Sequence, residues 1–243
     1  MAAWLDTTLE ARRFEDYCPN GLQAEGTPRI GKVVLGVTAS LSLLRAAAAQ
    51  GAHAVLVHHG WFWRGDDPRL IGTRRARVAT LLAHDLNLFA YHLPLDVHPE
   101  LGNAVALARH LDWPIGEALG RDGLIRVAEL PAVLTAAQLE AHLADRLDRP
   151  PLLVGNLNRP IRRVAWCTGA AQDFLQQAID AGADAYLSGE ISERTTHLAR
   201  EAGVVYAAAG HHATERYGIQ ALGAAMARAL GIEVIFVDDP NPV

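Results

Sequence analysis

Residues 33–59, VVLGVTASLSLLRAAAAQGAHAVLVHH, return 131 positions later as VAWCTGAAQDFLQQAIDAGADAYLSGE, residues 164–190. Val33 lies over Val164, Leu44 over Leu175, and GAHAVL (51–56) over GADAYL (182–187). Each copy reads as an apolar run of strand length, a helical pattern closed by glycine, and a second apolar run, which is the signature of a parallel βαβ unit. Any two such units share Ala-Gly helix ends, but the common helix-Gly-Ala-x-Ala-strand register favours a duplicated chain. The expected fold is therefore α/β, with two similar halves at 1–125 and 126–243 and sheets flanked by helices.

The remaining pattern fills in this frame. KVVLGVT (32–38), AVLVHH (54–59) and LFAYHL (88–93) predict strands, whereas SLSLLRAAAAQG (40–51), TRRARVATLLAHD (73–85) and LGNAVALARHLDW (101–113) predict helices. The segment 114–131 is richer in Gly and Pro and reads as a boundary. A Thr-x-x-Gln capping box opens a helix at 135–147, which Pro150 and Pro151 close.

Half of the 243 residues are hydrophobic, ample for a core. With 22 Lys and Arg against 27 Asp and Glu, the chain lacks the basic footprint of a nucleic-acid binder. The N-terminal MAAWLDTTLEARRFEDY scatters charges where a signal peptide needs an apolar core, and no run approaches the roughly 18 apolar residues of a membrane span. A cytoplasmic protein with no membrane partner is expected. Cys18 and Cys167 stand too far apart for a zinc knuckle or redox pair and read as reduced thiols.

Histidine carries the functional signal. In parallel sheets, ligands collect beyond the carboxyl ends of strands. Those ends offer His58 and His59; His92, Asp96 and His98; and, after a strand at 204–209, His211, His212 and Glu215. Imidazole and carboxylate together are the donors that divalent metals accept, and a set of this size suits a two-metal hydrolytic site. Alternation along an extended chain predicts that His58 and His59 point to opposite sides. His211 and Glu215 are spaced to share one helix face. The aromatics Trp61, Phe62 and Trp63 read as core, with a pocket wall or a subunit contact as the alternative.

The blocks DYCPNGLQAEG (16–26), VLVHHGWFWRG (55–65), YHLPLDVHPELGN (91–103), YLSGEISERTTH (186–197) and AGHHATERYG (209–218) resemble, in order, those of the GTP cyclohydrolase I type 2 homologues, also called Nif-three-like dinuclear metal centre proteins. The resemblance implies two similar α/β halves, a toroidal homohexamer and a two-metal site facing an internal cavity. It implies His58, His59, Asp96, His211 and Glu215 as metal ligands, with His92 close by and His212 outside the set. The segment GVTAS (36–40) departs from the family where many relatives carry an acid. Two divalent ions per chain are implied, and mixed His and carboxylate ligation suits zinc, iron, manganese or nickel.

The family label implies hydrolytic opening of the imidazole ring of GTP with release of formate. No phosphate-cradling Gly-x-x-x-x-Gly-Lys loop is present, so a small-molecule, nucleotide-type substrate rests on the label alone. Glu190, which emerges at a strand end outside the ligand set, is a candidate general acid/base, against the simpler reading of a capping carboxylate. Arg64 and Arg216 are candidate anion clamps, against the simpler reading of surface charges. A different two-metal hydrolase, acting on a phosphoester or amide, and a non-enzymatic metal-binding scaffold or regulator remain the alternatives.

Overall fold

The structure is a computed structural model that describes residues 1–120 and 123–243. The chain divides into two compact units, Met1–Gly102 with Ile219–Pro240, and Asn103–Gly218 with Asn241–Val243.

The first unit is built on a five-stranded sheet. Strands β2 (Lys32–Thr38), β3 (Ala54–His59) and β4 (Asn87–Ala90) run parallel, with β1 (Gly21–Ala24) antiparallel against β4 and β11 (Glu233–Phe236) parallel to β2. The order is β1-β4-β3-β2-β11. Both faces are covered, which is why these strands read as unbroken apolar runs and not as alternating ones. Val33, Leu35, Leu56 and Phe89 face Leu5 of α1 (Ala2–Thr8) and Ile219, Leu222 and Met226 of α9 (His211–Leu230). Val34, Val55, Val57 and Leu88 face Leu43, Leu44 and Ala47 of α2 (Leu41–Ala49) and Leu81 of α3 (Gly72–Ala83).

The second unit carries a six-stranded sheet of order β5-β6-β8-β9-β10-β7. Its parallel centre is β8 (Ile161–Trp166), β9 (Ala185–Ser188) and β10 (Val205–Ala208). Antiparallel β7 (Leu152–Gly155) flanks β10, while β6 (Ile125–Leu134) and β5 (Glu117–Leu119) extend the other edge. Val164, Trp166, Leu187 and Val205 pack on α5 (Asn103–His110) and α6 (Ala136–Leu147), and Ala165, Tyr186 and Tyr206 on α7 (Leu175–Asp180) and α8 (Glu193–Ala202). Thr135 and Gln138 form the expected capping box, each side chain bonding the other's backbone amide.

Three expectations need correction. The boundary placed at 125/126 falls inside the second unit, because α5 contributes Ala104, Leu107 and Ala108 to the second core and β11 completes the first sheet. The segment 114–131 holds β5 and most of β6, an antiparallel ribbon whose Gly and Pro content masked it. The strand expected at 88–93 stops at Ala90, and Leu93–Asp96 instead forms the short helix α4 with Pro94 in its first turn.

Asp184, in the turn before β9, accepts from the amides of Arg162 (2.9 Å) and Arg163 (2.8 Å) through one oxygen and from Arg159 Nε (3.0 Å) and Nη2 (2.7 Å) through the other. Burial opposes its charge, but the two amides and the Arg159 guanidinium outweigh it and hold the carboxyl below its ordinary 3.8. The folded state thus favours the ionised form, so this stability is full above the unfolded pKa and is lost as the pH falls through the lowered folded one. Asp184→Asn should cost about 1.5–3 kcal/mol at neutral pH. Its loss of stability on acidification should be shallower than that of the unaltered chain. Parallel stability curves from pH about 6 to 3 for the two proteins would refute this.

Candidate metal centre

In the first unit the donors gather where β3 and β4 end. His58 is fully buried, and its Nδ1 donates to the Tyr91 carbonyl at 3.0 Å, which leaves Nε2 3.3 Å from Asp96 Oδ1. His59 Nδ1 bonds Thr38 Oγ1 at 3.2 Å. The two rings do not diverge as strand alternation predicts: their centroids lie 4.4 Å apart. His59 is the last residue of β3, and the chain leaves the sheet at Gly60, where a Cβ would come within 2.3 Å of Gln23 Oε1 and 2.4 Å of Ala90 Cβ. His59 is still in register with Thr38 of β2, and the tethers set the ring directions, His58 bonded at Tyr91 just past β4 and His59 at Thr38 of β2.

His92 completes this group, its ring 5.1 Å from His58 and 5.8 Å from His59. The nitrogens of His58, His59 and His92 lie close enough together to hold one cation. His92 Nδ1 donates to Asp16 Oδ1 at 2.7 Å, and Asp16 Oδ2 accepts from the amide of Leu93 at 2.9 Å. Burial opposes the charge of Asp16, but His92, Asn20 and the Tyr17 amide outweigh it and hold the carboxyl at about 2. The neighbouring Cys18 is pushed up to about 12 by burial and by Asp16, so it stays a thiol. Cys167 is likewise free and buried.

In the second unit the donors sit on the first turn of α9. His211 donates from Nδ1 to Glu190 Oε1 at 2.7 Å, and its Nε2 lies 3.1 Å from Glu215 Oε2 one turn on. Burial pulls the His211 pKa down, but the two flanking carboxylates raise it to about 9. The field that holds a proton there is the field that attracts a cation. Gly169, in the turn after β8 at φ +65°, borders the pair: a Cβ at this position would lie 2.1 Å from Glu215 Oε1 and 3.0 Å from His211 Nε2. The fold thus keeps clear a space lined by an imidazole nitrogen and a carboxylate oxygen, donors that suit a divalent cation.

Comparison with known proteins supplies the family. The sequence profile of Duf34/NIF3, NGG1p interacting factor 3, matches residues 1–242. The chain belongs to the Duf34/NIF3 family. It is 51% identical over 240 residues to a Pseudomonas aeruginosa protein named GTP cyclohydrolase 1 type 2 homolog, covering 98% of this chain and 95% of the relative. A protein of the same name from Escherichia coli K12 is 46% identical over 240 residues, covering 98% and 96%. Among solved structures, one described as protein ybgI of unknown function superposes with a TM-score of 0.93 at 44% identity, covering 100% of this chain and 98% of that one. TTHA1606 from Thermus thermophilus gives 0.89 at 31%, with the same coverage.

Within this NIF3-family chain the remaining candidates separate. His98 lies apart from a ligand role: its Nδ1 accepts from the amides of Glu100 (3.1 Å) and Leu101 (3.0 Å), and burial lowers its pKa. The amide of His212 donates to the Val243 carbonyl at 3.0 Å. Arg64 is exposed and reaches the Asp16 carbonyl, bracing the segment that holds His92. Arg216 lies 5.8 Å from the Tyr217 ring centroid. The aromatic run splits by role: Trp61 is buried and donates to the Ala39 carbonyl, Phe62 is 45% exposed, and Trp63 sets its ring edge-on to His92 at 4.9 Å. Sequence reasoning missed Asp16, Thr38, Tyr91 and Gly169. Asp16 opens the segment DYCPNGLQAEG, and its company of Asn20 and Cys18 was the available signal.

Proposed function

We propose that the chain is a dinuclear metal-dependent hydrolase acting on a small molecule, with His58, His59 and Asp96 of the first unit and His211 and Glu215 of the second as ligands. The observation that carries this reading is a pattern seen in each unit. One imidazole is fixed through Nδ1 by an acceptor, the Tyr91 carbonyl or Glu190, while Nε2 is left beside a carboxylate, Asp96 or Glu215. That is the outer arrangement by which proteins set the tautomer and aim of a ligating histidine. Two divalent cations, zinc, iron, manganese or nickel, would supply polarisation of the bond to be cleaved and water activation at neutral pH.

Glu190 holds His211 in orientation and, with its side chain 32% exposed, can also exchange a proton with a bound substrate. The names of the relatives favour GTP as the first substrate to try. The reading includes assembly as a homohexamer in the cytoplasm and descent from a duplicated half. Support for duplication lies in register. Val33 pairs with Ala54 as Val164 pairs with Ala185, and the Lys32 amide donates to His53 Nδ1 as the Arg163 amide donates to Asp184 Oδ2, each residue displaced by 131.

The test uses protein purified without an affinity tag, its metals counted by elemental analysis, then assayed for formate release from GTP and for cleavage of generic phosphoesters and amides. Glu190→Gln should retain both metals and lose about 10²-fold or more of the hydrolytic rate. An unchanged rate would return Glu190 to a purely orienting role. A fully metallated protein inert to the whole panel would favour the scaffold alternative.

A further inference from the structure

Beside His59 the first unit opens a cavity of about 380 Å³, within the size range of small-molecule sites. Thr38, His59 and Trp63 line one side, and the start of α3 with the loop before it lines the other. The charges of that second side do not cancel. Asp67 is held by Arg69 in a fork, Oδ1 and Oδ2 to Nε at 3.0 and 2.9 Å and Oδ2 to Nη2 at 2.6 Å. Asp66 is paired with Arg74 at 2.7 Å. Both carboxylates are thereby neutralised. Arg77, one turn beyond Arg74 and partly buried, also lines the cavity, and its guanidinium has no hydrogen-bond or ion-pair partner among the described residues.

We infer that this cavity is a substrate cleft for an oxyanion-bearing small molecule, with Arg77 binding the anionic group and His59 marking the reacting end. The inference rests on the proposed hydrolase reading for the meaning of His59, and on the cavity alone for the binding of an anion. A guanidinium presents a planar fork that matches the oxygens of a phosphate or a carboxylate. Trp63, already edge-on to His92, gives the cleft an aromatic wall against which a planar or apolar body can lie. The same helix supplies its own control, since Arg75 is exposed and lies outside the cavity.

The probes are inorganic pyrophosphate and succinate, titrated calorimetrically into the metal-loaded chain at low and high salt. Binding of either should weaken about tenfold to a hundredfold in Arg77→Gln. It should weaken less in Arg77→Lys, remain unchanged in Arg75→Gln, and fall with salt. Metal content and melting temperature should match the unaltered protein in all three variants. Whichever probe binds identifies the oxyanion as phosphate or carboxylate. Absence of binding by both probes, or binding indifferent to Arg77, would overturn the inference. Arg77-dependent binding without turnover of any substrate would sink the hydrolase reading and leave the cleft standing. Turnover with KM unmoved by Arg77→Gln would do the reverse.

Discussion

Gly169→Ala should strip the second unit of its cation donors. Two costs coincide there. A side chain at φ +65° is disfavoured by roughly 1–2 kcal/mol, and the added methyl would meet Glu215 Oε1 at 2.1 Å and His211 Nε2 at 3.0 Å. Both donors must move, and at least one metal per chain should be lost. Gly182→Ala separates the two costs, since Gly182 has φ +74° and a Cβ added there would have nothing within 4 Å. It should lose comparable stability and keep its metals. Elemental analysis alongside thermal melts reads both effects; full metal retention by Gly169→Ala would show that the space beside Glu215 is not needed.

Replacing His59 or Glu215 with Ala should remove at least one metal per chain while the fold survives. The cores of both sheets are built from Val33, Leu56, Val164, Tyr186 and their neighbours, none of which these changes touch. His58→Ala is expected to be harsher. It would leave the Tyr91 carbonyl without its present donor in a fully buried place, at a cost of about 1–3 kcal/mol beyond the lost metal. Circular dichroism and metal counts on the three variants check the ranking. Two metals retained by both His59→Ala and Glu215→Ala would refute the ligand assignment.

What the sequence made legible was what local pattern encodes. Continuous apolar runs marked β2 and β3, the capping box marked α6, and the ligand-rich strand ends were visible as His58-His59, Asp96 and His211 with Glu215. The tethers that aim those side chains were not visible, because each joins residues distant in the chain: Asp16 to His92, Thr38 to His59, Tyr91 to His58 and Glu190 to His211. Alternation describes where each Cβ leaves the strand, whereas the rings of His58 and His59, with centroids 4.4 Å apart, are placed by those tethers. The edge strands β1, β7 and β11 are exposed or half-buried over most of their length, unlike the equally short but fully buried β4, β9 and β10, so burial imposes a weaker pattern on them.

Pairing of β11 with β2 brings Glu233 to Lys32, some 200 positions apart, and Ile219, Leu222 and Met226 reach the first core from the same stretch of chain. During synthesis from the N-terminus, the first sheet must therefore wait with an open edge and a partly uncovered face until the ribosome has released that stretch. The stretch from Asn103 to Gly218 contains every strand of the other sheet and is not subject to that delay. Maturation should run out of translation order, with the unit begun second finished first. The exposed β2 edge is then the period of greatest vulnerability to aggregation in the life of the nascent chain.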